Sequence, residues 1–146
     1  MRLELTRRGD YAVRAMLALG RAEPDTRLSV RRIAADMTIP VAFLPQVMRD
    51  LVAAGLVEGA SGRSGGYRLA RPAPRIAVLE IIEATEGDSR RTTCVLRGGA
   101  CGRERHCDAH EVFFTARSAM LERLRSASLA DIVRPDRDPV ATALPE

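Results

Sequence analysis

The chain has no lysine and no tryptophan, and aromatic residues make up only 3% of its 146 positions. A core built on large rings is therefore excluded, and Ala, Leu and Val must fill the interior instead. No stretch approaches the ~18 uncharged apolar residues of a membrane-spanning helix. The opening Met-Arg-Leu-Glu-Leu-Thr-Arg-Arg lacks the apolar centre of a secretion signal. Together these absences predict a cytoplasmic protein with no membrane partner. There is no glycine motif for nucleotides and no Ser/His/Asp arrangement, which argues against an enzyme. The three cysteines are an odd number, and a reducing cytosol disfavours structural disulfides. A metal, a redox role and plain buried thiols all remain open for them.

What is present is arginine, 23 residues of it, and its distribution is uneven. Residues 1–75 hold 13 Arg against 7 acidic residues, a net of +6, while residues 76–146 hold 10 against 12, a net of −2. Charge alone fits a solvated surface as well as a phosphate-binding half. The length allows one medium domain or two small ones, enough to bury roughly 70% of the unfolded surface.

Residues 6–22 carry Ala12, Ala15, Met16 and Leu19 at helical spacing, and Glu23-Pro24-Asp25 ends that helix. A short helix over 29–36 follows, capped by Ser29 and burying Val30, Ile33 and Ala34. After the turn at Thr38-Ile39-Pro40, the pattern predicts a helix over 41–54. Its stripe is Phe43 or Leu44, Val47, Leu51 and Val52, with Gly55 at the C-terminal cap. Pro45 conflicts with an early start, because beyond the first turn it would remove a helical hydrogen bond. Leu56–Glu58 and Tyr67–Ala70 read as two strands around a turn holding four glycines and two serines. The fold expected is mainly α: a winged helix-turn-helix with a small β-hairpin wing, followed by a long C-terminal dimerisation helix.

In such a layout Gln46 is the candidate for a base edge and Arg49 for a phosphate. Arg31 and Arg32 are further phosphate candidates. Arg63, beside Ser64 at the wing, can reach a narrow minor groove. Tyr67 reads as a packing anchor. The partner expected is double-stranded DNA with a roughly palindromic operator, read by a homodimer.

A helix over 78–85 comes next, burying Leu79, Ile81 and Ile82, and Gly87 ends it. Residues 88–107 form a long segment rich in Gly, Arg and Cys, too long for a mere connection. A helix over 108–127 carries Phe113, Ala116, Met120 and Leu124 on one stripe, with Phe114 and Leu121 beside it. Two apolar faces on one helix call for a second copy. The expected organisation is a DNA-binding domain over 1–75, a cysteine loop and dimerisation helix over 76–133, and a disordered tail over 134–146.

Cys94, Cys101 and Cys107 are spaced too widely for zinc-ribbon pairs, which keep two to four residues between neighbours. A larger group such as an iron–sulfur cluster suits thiolates spread over a glycine-rich loop. Arg91, Arg97, Arg103 and Arg105 would favour thiolates there. Zinc, or no metal, is the alternative. His110, three residues after Cys107, is the candidate fourth ligand, and Asp10 is the other.

The opening Met1-Arg2-Leu3 with Gly9-Asp10-Tyr11-Ala12-Val13-Arg14-Ala15-Met16, the wing Gly65-Gly66-Tyr67-Arg68-Leu69, the three cysteines and the closing Ser128-Leu129-Ala130-Asp131-Ile132-Val133 act as a combined signature. Together they resemble the Rrf-type regulators, which include IscR, NsrR and RirA. The resemblance covers about residues 1–133. It implies a homodimeric winged-helix regulator whose loop holds a 2Fe–2S or 4Fe–4S cluster on Cys94, Cys101 and Cys107. Redox state, iron–sulfur status or nitric oxide would then alter DNA affinity. His110 matches the IscR histidine, and Asp10 matches the NsrR-type carboxylate supplied by the partner subunit's first helix. Pro45 stands where IscR has an acidic base reader, and Ser61 replaces an arginine of its wing, which leaves Arg63 as the substitute.

Overall fold

The computed structural model describes residues 4–89, 94, 96 and 107–134. Cys101, the four loop arginines and the expected tail beyond Arg134 lie outside them. Among the described residues, six helices and one hairpin follow in the order α1 (Arg7–Arg21), α2 (Val30–Met37), α3 (Leu44–Ala53), β1 (Val57–Ala60), β2 (Gly66–Leu69), α4 (Val78–Glu86), α5 (His110–Ser126) and α6 (Leu129–Ile132), with a 3-10 turn at Ala73–Arg75 before α4. This is the expected winged-helix layout.

The helix starts follow local chemistry. Thr6 caps α1 by accepting the Gly9 N–H at 3.2 Å, and Ser29 caps α2 through the Arg32 N–H at 3.1 Å. Helix α3 begins at Leu44, three residues later than the apolar pattern suggests. Pro45 thus falls in its first turn, where the missing N–H has no intrahelical partner to lose. The cost expected of Pro45 does not arise. Two stripe assignments change as well: Val52 is 40% exposed and Phe43 54% exposed, while Met48 takes the inner position with Leu44, Val47 and Leu51.

The core lies between α1, α2, α3 and α4. With aromatics scarce, Met16, Met37 and Met48 are fully buried beside Ile33, Leu44, Leu51, Leu56, Ile76 and Ile81, the unbranched thioether adapting to irregular gaps. Of the residues expected inside α4, Leu79 and Ile81 are buried, and Ile82 is half-buried. The closing segment, quoted above only as a motif, is a structural element. Ser128 caps α6, Leu129 is fully buried, and its N–H donates to the Ile76 carbonyl at 2.8 Å. The N–H and hydroxyl of Ser128 hold the Asp131 carboxyl below the usual carboxylate range.

β1 and β2 pair antiparallel, Val57 opposite Leu69 and Ala60 opposite Gly66. Leu28 and Tyr67 exchange backbone hydrogen bonds of 2.9 and 2.8 Å, so the wing is pinned to the segment before α2. Tyr67 packs against the core. Gly66 has φ +121°, and a Cβ there would lie 2.7 Å from the Leu28 carbonyl oxygen. Gly66→Ala should therefore cost about 1–3 kcal/mol of backbone strain and lower Tm by at least a few degrees. An unchanged melting curve would contradict this geometry.

Candidate nucleic-acid interface and cysteine segment

The outward face of α3 holds a connected set of polar side chains. The Gln46 amide donates to Asp50 Oδ1 at 3.0 Å, and Arg49 donates to Gln46 Oε1 at 2.5 Å. Arg8, from the first turn of α1, donates to Asp50 Oδ2 at 2.6 Å. Gln46 and Arg49, singled out from the sequence, are both exposed and sit together. Asp50 and Arg8 were not singled out. The i, i+4 spacing of Gln46 and Asp50 was a readable signal for one of them, whereas nothing local points to Arg8.

On α2, Arg31 is exposed, and Arg32 pairs with Asp36 at 2.7 Å. The hydrogen bond and charge of Asp36 raise the Arg32 pKa further. Arg63 and Ser64 stand exposed at the wing tip, in a turn closed by the Gly65 N–H on the Gly62 carbonyl at 3.0 Å. A concavity lined by Ser29, Val30, Gly59, Arg63 and Tyr67 joins the start of α2 to this wing.

The cysteine segment leaves from the end of α4 and returns at α5. Cys94 is half-buried and Cys107 exposed. His110 opens α5, its N–H donating to the Cys107 carbonyl at 2.9 Å, and its ring stacks on Phe114 with centroids 5.5 Å apart. Both thiols and the imidazole suit an iron–sulfur cluster by donor chemistry. Among the described residues no three His, Cys, Asp or Glu gather as a metal site, and Cys101, which would join them, lies outside. Asp10 is held by Arg14 Nε at 2.8 Å and remains 40% exposed.

The flank that leaves α4 is tethered from three sides. Glu83 accepts from the N–H and the hydroxyl of Ser89, and Arg117 of α5 donates to the Ser89 carbonyl at 2.9 Å. Glu86, the last residue of α4, accepts the Thr6 N–H at 2.7 Å across 80 positions of sequence. That carboxylate faces the positive end of α1 and sets the end of α4 against Thr6 and Gly9, in the first turn that also carries Asp10. Sequence reading offers no cue for such a contact.

Helix α5 has no buried residue, and Val112, Phe114 and Met120 are 70%, 49% and 39% exposed. No helix among the described residues is long and apolar enough to cross a membrane.

A family model described as an iron-dependent transcriptional regulator, Rrf2, matches residues 5–135. The chain belongs to the Rrf2 family. It is 32% identical over 132 residues to the HTH-type transcriptional regulator IscR of Xenorhabdus nematophila, covering 90% of this chain and 80% of that one. Protein rrf2 of Nitratidesulfovibrio vulgaris is 30% identical over 132 residues, covering 90% and 88%. Among solved structures, CymR, the global cysteine regulator of B. subtilis, superposes with a TM-score of 0.78 at 26% identity, covering 90% of this chain and 97% of that one. The family model, IscR and CymR are described as regulators and not as enzymes, in line with the sequence reading.

Proposed function

We propose that this Rrf2 regulator binds a roughly palindromic DNA operator as a homodimer, and that the state of its cysteine segment sets the affinity. Residues 1–75 supply the reader, and residues 76–133 supply the cysteine segment and the helix that pairs two copies. The observation that carries the DNA reading is the exposed Gln46–Arg49 face of α3 on the same winged-helix unit as Arg63 and Ser64. Gln46 meets a base edge, and Arg31, Arg32 and Arg49 meet phosphates. The exposed apolar side chains of α5, Val112, Phe114 and Met120, are covered by the second copy.

Cys94, Cys101 and Cys107 would hold a 2Fe–2S or 4Fe–4S cluster, with His110, or Asp10 from the partner subunit, as fourth ligand. The family description as iron-dependent supports this reading. Bound there, such a cluster supplies redox and ligand-exchange chemistry sensitive to iron, oxidants and nitric oxide. The chain's own part is positional. Ser89, gripped by Glu83 and Arg117, ties the segment to α4 and α5, and Glu86 ties it to α1, which reaches α3 through Arg8.

Binding to a duplex selected from a random pool tests the DNA half. Each phosphate contact steepens the fall of log K with log salt by about 0.9. Arg31→Ala should weaken binding and flatten that slope by about 1. A wild-type protein that fails to bind at low salt would overturn the reading. Anaerobic purification with iron and sulfide analysis tests the other half, and a colourless protein with stoichiometric zinc would overturn it.

A further inference from the structure

We propose that Asp50, held from α1 by Arg8, is a positioning residue that fixes the Gln46 amide for reading adenine. This rests on the reading of α3 as the helix that enters the major groove. A glutamine reads adenine bidentately, accepting from N6–H and donating to N7. That requires its oxygen and nitrogen to be on the correct sides, yet a free amide flips at little cost.

Here both ends are engaged from behind. One N–H of Gln46 goes to Asp50 Oδ1 at 3.0 Å, and Oε1 accepts from Arg49 at 2.5 Å. The amide still has its second N–H and its second lone pair, which is the donor–acceptor pair that adenine requires. Asp50 is itself restrained: its side chain is only 17% exposed, and its second oxygen is bound by Arg8 at 2.6 Å. Arg8 belongs to a different helix, so the amide orientation is referenced to the body of the fold and not only to α3. The same contact offsets the negative charge that Asp50 would otherwise bring near DNA phosphates.

The test compares base preference and overall affinity on a randomised half-site, using the full-length protein. Gln46→Ala should erase an adenine preference of roughly 5- to 150-fold at one position. Asp50→Ala should erase the preference at that same position while affinity for unrelated duplexes rises, since a carboxylate is lost. Asp50→Asn loses the same charge but keeps an oxygen that accepts from Gln46, so it should retain the preference. In a Gln46→Ala background, Asp50→Ala should leave the preference unchanged. Asp50→Ala with its adenine preference intact, where Gln46→Ala has lost it, would overturn the positioning role alone. Equal behaviour of the alanine and asparagine variants would also overturn it, by showing that only charge matters. A wild-type preference untouched by Gln46→Ala would overturn the assignment of α3's reading residue, and the positioning role with it.

Discussion

Cys107→Ala, and separately Cys101→Ala, should yield protein that stays colourless and poor in iron and sulfide when purified without oxygen, beside a coloured wild type. The reason lies in the donor set. Thiolates carry most of the bonding to iron–sulfur clusters, and His110, a borderline donor, follows Cys107 one turn on. A loop with two thiolates left has no third to recruit, because the chain has only three cysteines. The same variants should lose whatever change in DNA affinity accompanies loading, a difference of about 5- to 150-fold for ordinary allosteric coupling. His110→Ala and Asp10→Ala then separate the two fourth-ligand assignments. Whichever residue binds iron should shift the visible bands when replaced, and the other should not. Wild-type absorption in Cys107→Ala would contradict the ligand assignment.

The second large effect concerns the seat of α3. Leu51 is fully buried, on the inner stripe with Leu44, Val47 and Met48. Leu51→Ala should cost about 2–5 kcal/mol, the usual range for opening a cavity at a buried leucine. That is a large share of the ~5–15 kcal/mol that stabilises a typical domain. Val52, its neighbour, is 40% exposed, and Val52→Ala should stay within about 0.5 kcal/mol. Urea unfolding monitored by circular dichroism checks both. Equal losses would mean that the stripe is misplaced by one residue.

That one-residue question shows how far the sequence could be read. Helix existence and order follow from apolar periodicity and capping serines and threonines, and Ser29 and Thr6 cap as their chemistry requires. The start of α3 was harder. The apolar run from Val41 fits a helix, but Pro45 is compatible only with the first turn, and the backbone obeys the proline. Helix α6 is too short for periodicity to register, and its stability comes from burying Leu129 against the main core. Within the candidate site, the exposure of the wing and α2 arginines was readable, because charge in a glycine-rich turn and charge on the polar side of an amphipathic helix are both local properties. The links from Glu86 to Thr6 and from Arg8 to Asp50 were not, since they join residues 80 and 42 positions apart. No pattern within a window of sequence encodes them.

The most direct measurement is the affinity of one selected duplex for the same protein preparation before and after anaerobic loading with ferrous iron and sulfide, at fixed salt. The loaded and unloaded forms should both bind, with affinities differing about 5- to 150-fold, and Cys107→Ala should give one unchanging value. Coincident binding curves for loaded and unloaded wild type would contradict a cysteine segment that governs DNA affinity.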